Sequence, residues 1–432
     1  MRANISHYHR LRLNDSSSET NVNAAQKETL ANLLPSTKFD SSLIVSRGTL
    51  PQDLMTDVES ANVVKILVAG QRGMGKTTEL RRFESMLDAM NGFQPVFLQF
   101  GAQERINDET LIYTMAQALL IKSNLKVGKG DPLWNWFDTE ESVSSYSESR
   151  GGSVSVGGNL PLIGAKGSIQ TGRDTKRTKT HKVIKNKPEL LDAFNRIIQK
   201  AKEKNGAQIV FIVDDIDKIQ DTVSVEGTFV SSAHTLGLID APCVFTVPYT
   251  YATSSFNRLA SLPYTSIHRV PAVAINSRSG LQQLDNCEFM SQVLKRRLTV
   301  NPFSDEEIQR IIDYSGGVIV DALRLARGVL KQIVLGDEHK VAELIEDEFQ
   351  KIADEYRYQF DKPILWRKLQ KFCEAVDPAL FLTDETTLDL VCKMIVIEYR
   401  DRTTWHSVHP AVRRLYEQNK VALASVLGQF DA

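Results

Sequence analysis

The sequence predicts an α/β fold for its central part: a parallel sheet covered by helices on both faces. Three observations predict it. Four short apolar runs, "VVKILVAG", "QPVFLQF", "AQIVFIVDDID" and "APCVFTVPY", are rich in β-branched or aromatic residues, and polar or helix-patterned segments separate them. The first run ends in a glycine-rich loop with a helical pattern behind it. After Ile275 the strand-like runs stop and helical spacing takes over.

The elements follow in chain order. Residues 1 to about 60 are polar and mixed, with a loop at "NDSSSETN" and one short helix in "NAAQKETLANLL", and form a lead-in arm. The core spans 61–275. Within it, residues 127–188 break the pattern: a Ser- and Gly-rich stretch, in which "SVSV" alternates as a small hairpin would, precedes a basic one. From Arg173 to Lys187 there are seven Lys or Arg and a single Asp. A helix follows in "PELLDAFNRIIQKAKEKNG", with Pro188 near its start and Gly206 past its end.

Residues 276–360 read as helices with a break at Ser315-Gly316-Gly317, Ser304 and Glu307 forming a capping box. In 361–432, "PILWRKLQKFCEAV" and "TDETTLDLVCKM" are helical, the second capped by Thr383, and "IVIEYRDRTTWHSVHP" gives two strands around a polar turn. Helix, helix, hairpin is the plan of a winged helix.

The bulk numbers narrow the function classes. A chain of 432 residues holds more than one domain, and a net charge of −1 provides no global field toward nucleic acid or membrane. Cys243, Cys287, Cys373 and Cys392 are too scattered for a zinc site or a disulfide framework and are expected to be small buried residues. No apolar run reaches the roughly 20 residues of a membrane span, and no apolar segment follows the basic start, so a cytoplasmic location without membrane contact is expected.

The loop Gly70-Gln71-Arg72-Gly73-Met74-Gly75-Lys76-Thr77 satisfies G-x-x-x-x-G-K-[ST]. Glycines let the backbone turn its N–H groups toward phosphate oxygens, and the following helix adds its positive end. Lys76 is expected to reach the β- and γ-phosphates of ATP, Thr77 to hold Mg²⁺, and Thr78 to extend the binding set. The acidic strand end supplies the other half: Asp214 on the Mg²⁺ side, Asp215 to orient or deprotonate the attacking water. Asp217 and Lys218, just beyond, are read first as a solvated turn, with a role in the site or at an interface as the alternative. Thr246, near the end of the next strand, is either a γ-phosphate contact or a buried threonine satisfied by backbone.

Together the phosphate loop, "FIVDDID", the "YSGG" helical segment and the winged-helix pattern resemble the AAA+ and STAND P-loop ATPases of the initiator-like branch, over about residues 62–415. The resemblance implies a P-loop NTPase core, a helical lid, ATP hydrolysis with Mg²⁺, and homo-oligomers in which a neighbouring copy supplies an arginine finger. Arg258 is the candidate, with Arg269 in the same region. It also implies a nucleotide-contacting arginine after the "SGG". Val320 holds that position here, with Arg324 and Arg327 one and two helical turns later; either Arg324 substitutes, or the lid senses nucleotide weakly.

Two functions remain. One is an ATP-driven switch that recruits or controls a separate effector or partner protein, as relatives of this type do in bacterial phage defence. The other is a DNA-binding loader or remodelling ATPase for replication, recombination or transposition, using Arg173–Lys187, the wing residues Arg400 and Arg402, and Arg413 and Arg414 from the segment after the wing on phosphates. The acidic helix "TDETTLDLVCKM" opposes the second. Trp405 and His406 are expected to pack the wing, and no ligand set supports a metal role for His406 or His409.

Overall fold

A computed structural model describes residues 25–34, 40–61, 63–101, 106–126, 154–155, 187–219, 222–252, 263–335, 340–360, 363–374 and 385–428. The "NDSSSETN" loop, most of the 127–188 segment with its basic run, Thr383 and Arg258 lie outside the described residues. Contacts divide the chain into two units: 48–72 with 76–270, and 1–47 with 73–75 and 271–432.

The first unit holds one parallel sheet. Its strands in chain order are β1 (Lys65–Ala69), β2 (Phe93–Gln99), β3 (Val154–Ser155), β4 (Gln208–Asp214), β5 (Cys243–Val247) and β6 (Ser266–Arg269), arranged β3-β2-β4-β5-β1-β6. Every pairing is parallel. The four apolar runs are β1, β2, β4 and β5. β1 and β5 are buried along their whole length, which is why their sequences are continuous rather than alternating. β3 is two residues paired to the end of β2, at Leu98–Val154 and Gln99–Ser155; the rest of the "SVSV" hairpin expectation lies outside the described residues.

Helices Asp108–Lys122 and Lys187–Asn205 pack together over one sheet face, sharing a core with Leu67, Phe211 and Phe245. Phe194 meets Phe211 at 5.4 Å and Phe229 meets Phe245 at 5.3 Å between ring centroids. Helices Leu50–Ser60 and Lys76–Ala89 pack together, the latter also against β2 and β4. Gly206 closes the Lys187–Asn205 helix at φ 63°, as its sequence position implies. Because β5 lies between β1 and β4, the carboxyl ends of all three open side by side. Parallel sheets bind ligands at that edge.

The second unit is helical apart from one hairpin. It holds a helix over 25–32 and helices Leu284–Lys295, Asp305–Ser315, Ile319–Val334, Val341–Arg357, Pro363–Glu374, Glu385–Cys392 and Pro410–Gly428. Ser304 and Glu307 make the expected capping box. The break at Ser315–Gly317 is real: Gly316 and Gly317 have φ of 60° and 78°, and a Cβ on Gly317 would sit 1.9 Å from Val273 O. The Tyr399 hydroxyl donates to Gly316 O at 2.6 Å.

Strands β7 (Val396–Arg400) and β8 (Thr404–Val408) form the antiparallel hairpin, with Trp405 stacked on Tyr399 at 4.4 Å and His406 buried. His409 is fully buried. Its Nδ1 accepts from Ala411 N, so Nε2 carries the proton and donates to Asp321 Oδ2 at 3.0 Å. The cysteine expectation needs a correction: Cys243 and Cys287 are buried, but Cys373 is partly exposed and Cys392, the last residue of a short helix, is exposed. Among the described residues no helix is long and apolar enough to cross a membrane.

Candidate functional site

The phosphate loop leaves the buried end of β1 at Gly70 and enters its helix at Lys76. Gly73 and Gly75 have φ of 80° and 87°, which side-chain-bearing residues rarely adopt, and Met74 between them is buried. Lys76 turns back over the loop. Its Nζ donates to Gly70 O at 2.7 Å and Gln71 O at 2.8 Å, and pairs with Asp217 Oδ2 at 2.9 Å. The Lys76 and Asp217 side chains are only 6% and 3% exposed.

The expectation of a solvated turn at Asp217 is therefore corrected. Asp215 adopts a left-handed conformation, φ 68° and ψ 10°, which aspartate tolerates better than most residues. The chain then makes a 3-10 turn over Ile216–Lys218. That reversal brings Asp217 back toward the loop while Lys218 stays half-exposed and pairs with Asp215 Oδ1 at 2.6 Å. The Lys218 pKa is raised: burial pulls it down, but the Asp215 bond and the surrounding carboxylate charges outweigh burial.

Asp214 ends β4 with no exposure at all, and neither carboxylate oxygen has a hydrogen-bond partner among the described residues. Burial pushes its pKa up to about 6, and the Asp215 and Asp217 charges add to the rise. The Thr77 hydroxyl and the Asp215 backbone N–H act in the opposite direction without reaching ordinary hydrogen-bond geometry. One carboxylate oxygen from each of Asp214, Asp215 and Asp217 lies within 4.8 Å of the others.

The surroundings fix these groups. Gln99 at the end of β2 donates to Asp215 Oδ2 at 3.5 Å and accepts from Arg81 at 3.4 Å. Arg81 is held by Glu84 at 2.8 Å and lies over the Phe97 ring at 3.4 Å. Thr246 is fully buried, and its Oγ1 accepts from Ile216 N at 3.1 Å, so its hydroxyl braces the turn that carries Asp217. Arg72 donates to Lys218 O at 3.3 Å from the other side. Thr78 lies in the first turn of the Lys76–Ala89 helix.

The loop tip, Gly73–Gly75, groups with the helical unit. Val320 N–H donates to Gly73 O at 3.4 Å, and a Cβ on Gly73 would meet the Val320 side chain at 3.1 Å. Arg47 donates to Met74 O at 3.1 Å and to Pro271 O at 2.6 Å. Sequence reasoning passed over Arg47, because nothing near it signals a distant partner. Arg324 pairs with Asp321 at 3.4 Å and with Glu355, while Arg327 donates to Leu30 O at 3.3 Å. On the hairpin side, Arg413 donates to Cys373 O at 3.4 Å, and Arg414 pairs with Glu346 at 2.7 Å over the Phe349 ring. Arg400 and Arg402 are exposed.

A buried strand, a loop with a lysine folded over it, and an acidic strand two places away form a phosphate-binding arrangement. Residues 52–226 match the model of the KAP family P-loop domain. This part of the chain has a P-loop NTPase fold. Several solved structures are similar to the chain around it. Cdc6p from Pyrobaculum aerophilum is 13% identical over 92% of this chain and 97% of its own, with a TM-score of 0.37. The Aeropyrum pernix Orc1 protein in complex with DNA is 13% identical over 91% and 97%, at 0.41. Drosophila ORC bound to DNA is 10% identical over 89% of each chain, at 0.40. No curated protein sequence matches the chain. The assignment of the NTPase domain rests on the family match and the strand order.

Proposed function

We propose that the NTPase domain binds and hydrolyses ATP with Mg²⁺, and that the bound state acts as a switch for a separate partner protein. The observation carrying the chemistry is the Asp214 carboxylate, fully buried with both oxygens unpartnered beside the phosphate loop's lysine and threonine. A buried anion without a partner is costly, and a cation relieves that cost. The donor set fits a hard divalent cation: Asp214 and the Thr77 hydroxyl would hold it. Bound there, Mg²⁺ supplies charge neutralisation of the phosphate oxygens.

The chain's own groups do the rest. The loop N–H groups of residues 70–77 and the Lys76–Ala89 helix N-terminus bind the phosphates, and Lys76 contacts the β- and γ-oxygens. Asp215, released from Lys218, orients the attacking water and takes its proton. Gln99 sets the Asp215 side chain. Arg258 of a neighbouring copy in a homo-oligomer is the proposed finger. Thr246 acts through the Ile216 turn, and Arg324 as a lid group whose present partners are Asp321 and Glu355.

The switch reading is supported by Val320 N–H on Gly73 O, a main-chain link from the loop tip to the Ile319–Val334 helix in place of an arginine contact. In this reading 276–360 acts as the lid and 361–432 as a winged-helix-like output module in the cytoplasm, with an effector in phage defence as the partner. The loader reading has less support, since Arg413 and Arg414 are engaged within their own unit. An ATPase assay with and without duplex DNA, across salt, tests the choice. Turnover indifferent to DNA and salt is expected, and DNA-stimulated, salt-sensitive turnover would replace the switch by the loader.

A further inference from the structure

We propose that Asp217 is an exchange gate on Lys76: it occupies the lysine while no nucleotide is bound, and it makes nucleotide binding depend on a divalent cation. The proposal rests on the nucleotide-binding reading above.

A lysine ammonium has three N–H donors and no acceptor. Here two donate to Gly70 O and Gln71 O, and the charge is met by Asp217 Oδ2, an ion-pair partner at 2.9 Å. A phosphate oxygen that takes the ammonium at ion-pair range displaces one of these three partners. The two carbonyls are main chain of the loop that must keep its shape around the phosphates. Asp217 is the one side chain and the one anion, so phosphate replaces it charge for charge.

Release has a consequence. The turn carrying Asp217 is fixed by Thr246 Oγ1 on Ile216 N and by Lys218 N on Asp215 O at 3.0 Å, so the carboxylate leaves by rotating, not by carrying the turn away. Its oxygens stay close to those of Asp214 and Asp215, within the 4.8 Å cluster. Once Lys76 turns to phosphate, Asp214 and Asp217 face each other and the incoming anion without the lysine's charge, while Asp215, close by, keeps its pairing with Lys218. Like charges at this spacing in a low-dielectric site repel strongly. A divalent cation arriving with the nucleotide removes the repulsion; nucleotide alone does not. In Asp217→Asn the exchange releases a neutral amide, and the penalty for metal-free binding falls.

The test is equilibrium titration of the full chain with a fluorescent ADP analogue, in excess Mg²⁺ and in EDTA. Wild type is expected to bind at least about tenfold more weakly in EDTA, and Asp217→Asn to recover about tenfold in EDTA while changing far less in Mg²⁺. An unchanged EDTA-to-Mg²⁺ ratio in the variant overturns the proposal. So does equal weakening under both conditions, which would make Asp217 a simple brace for Lys76. If Asp217→Asn does not fold by its thermal melt, Asp217→Ser is judged by the same ratio. Absence of binding by wild type, or binding untouched by Lys76→Ala, removes the nucleotide reading itself and the gate with it.

Discussion

Lys76 Nζ lies 2.9 Å from Asp217 Oδ2, with both side chains nearly excluded from solvent. The pair joins the helix that starts at the phosphate loop to the turn after the acidic strand. Each charge is the other's compensation, so removing one strands its partner.

Lys76→Met should therefore destabilise the folded protein, by roughly 3 kcal/mol on the scale of broken buried pairs. Adding Asp217→Asn should recover more than half of that, because the orphaned charge is gone. Chemical denaturation of the two variants checks this. Equal loss in the single and double variants would show that the pair is not the source.

Asp214 gives a pH signature with a definite sign. Its folded-state pKa lies above the ordinary carboxylate value, at about 6. The folded state therefore binds the proton more tightly, so this group's stabilisation is present below the unfolded pKa and is lost as pH rises through about 6. Asp214→Asn should melt higher than wild type near pH 7.5, with the gap closing toward about pH 4. Thermal melts across pH without added divalent cation measure it.

Asp215→Asn should keep nucleotide affinity and lower turnover by about 10²–10⁴-fold, the usual range for losing a positioned general base. Single-turnover hydrolysis with saturating ATP separates the two effects. Unchanged turnover would move the base elsewhere.

Gly317→Ala should cost at least about 2 kcal/mol, since φ is positive and the new Cβ would collide with backbone. Tyr399→Phe, which removes only the hydroxyl on Gly316 O, should cost about 1 kcal/mol. The ratio of the two, by denaturation, reports how firmly this turn is held.

The sheet's centre was legible because β1, β4 and β5 are buried on both faces and so read as unbroken apolar runs. The Asp305–Ser315 helix was legible from its cap and its glycine. β6, "SIHR", escaped notice because it is a short half-buried strand at the sheet's edge whose residues carry no apolar signature. The short helices between 222 and 237 were missed for want of length. Within the site, Gly70–Thr77 and Asp214 could be read from spacing. Asp217 could not, because its place depends on the left-handed conformation of Asp215, which spacing does not encode. Arg47 depends on partners 27 and 224 residues away.

The central claim is that Lys76 and its loop hold the phosphates of ATP. Equilibrium binding of ATP with Mg²⁺ to wild type and to Lys76→Ala tests it most directly. The account predicts saturable binding by wild type that is weakened about 100-fold or more in the variant, the scale of losing a buried charge-assisted contact. Binding of equal strength in both proteins, with the variant's fold intact, would contradict it.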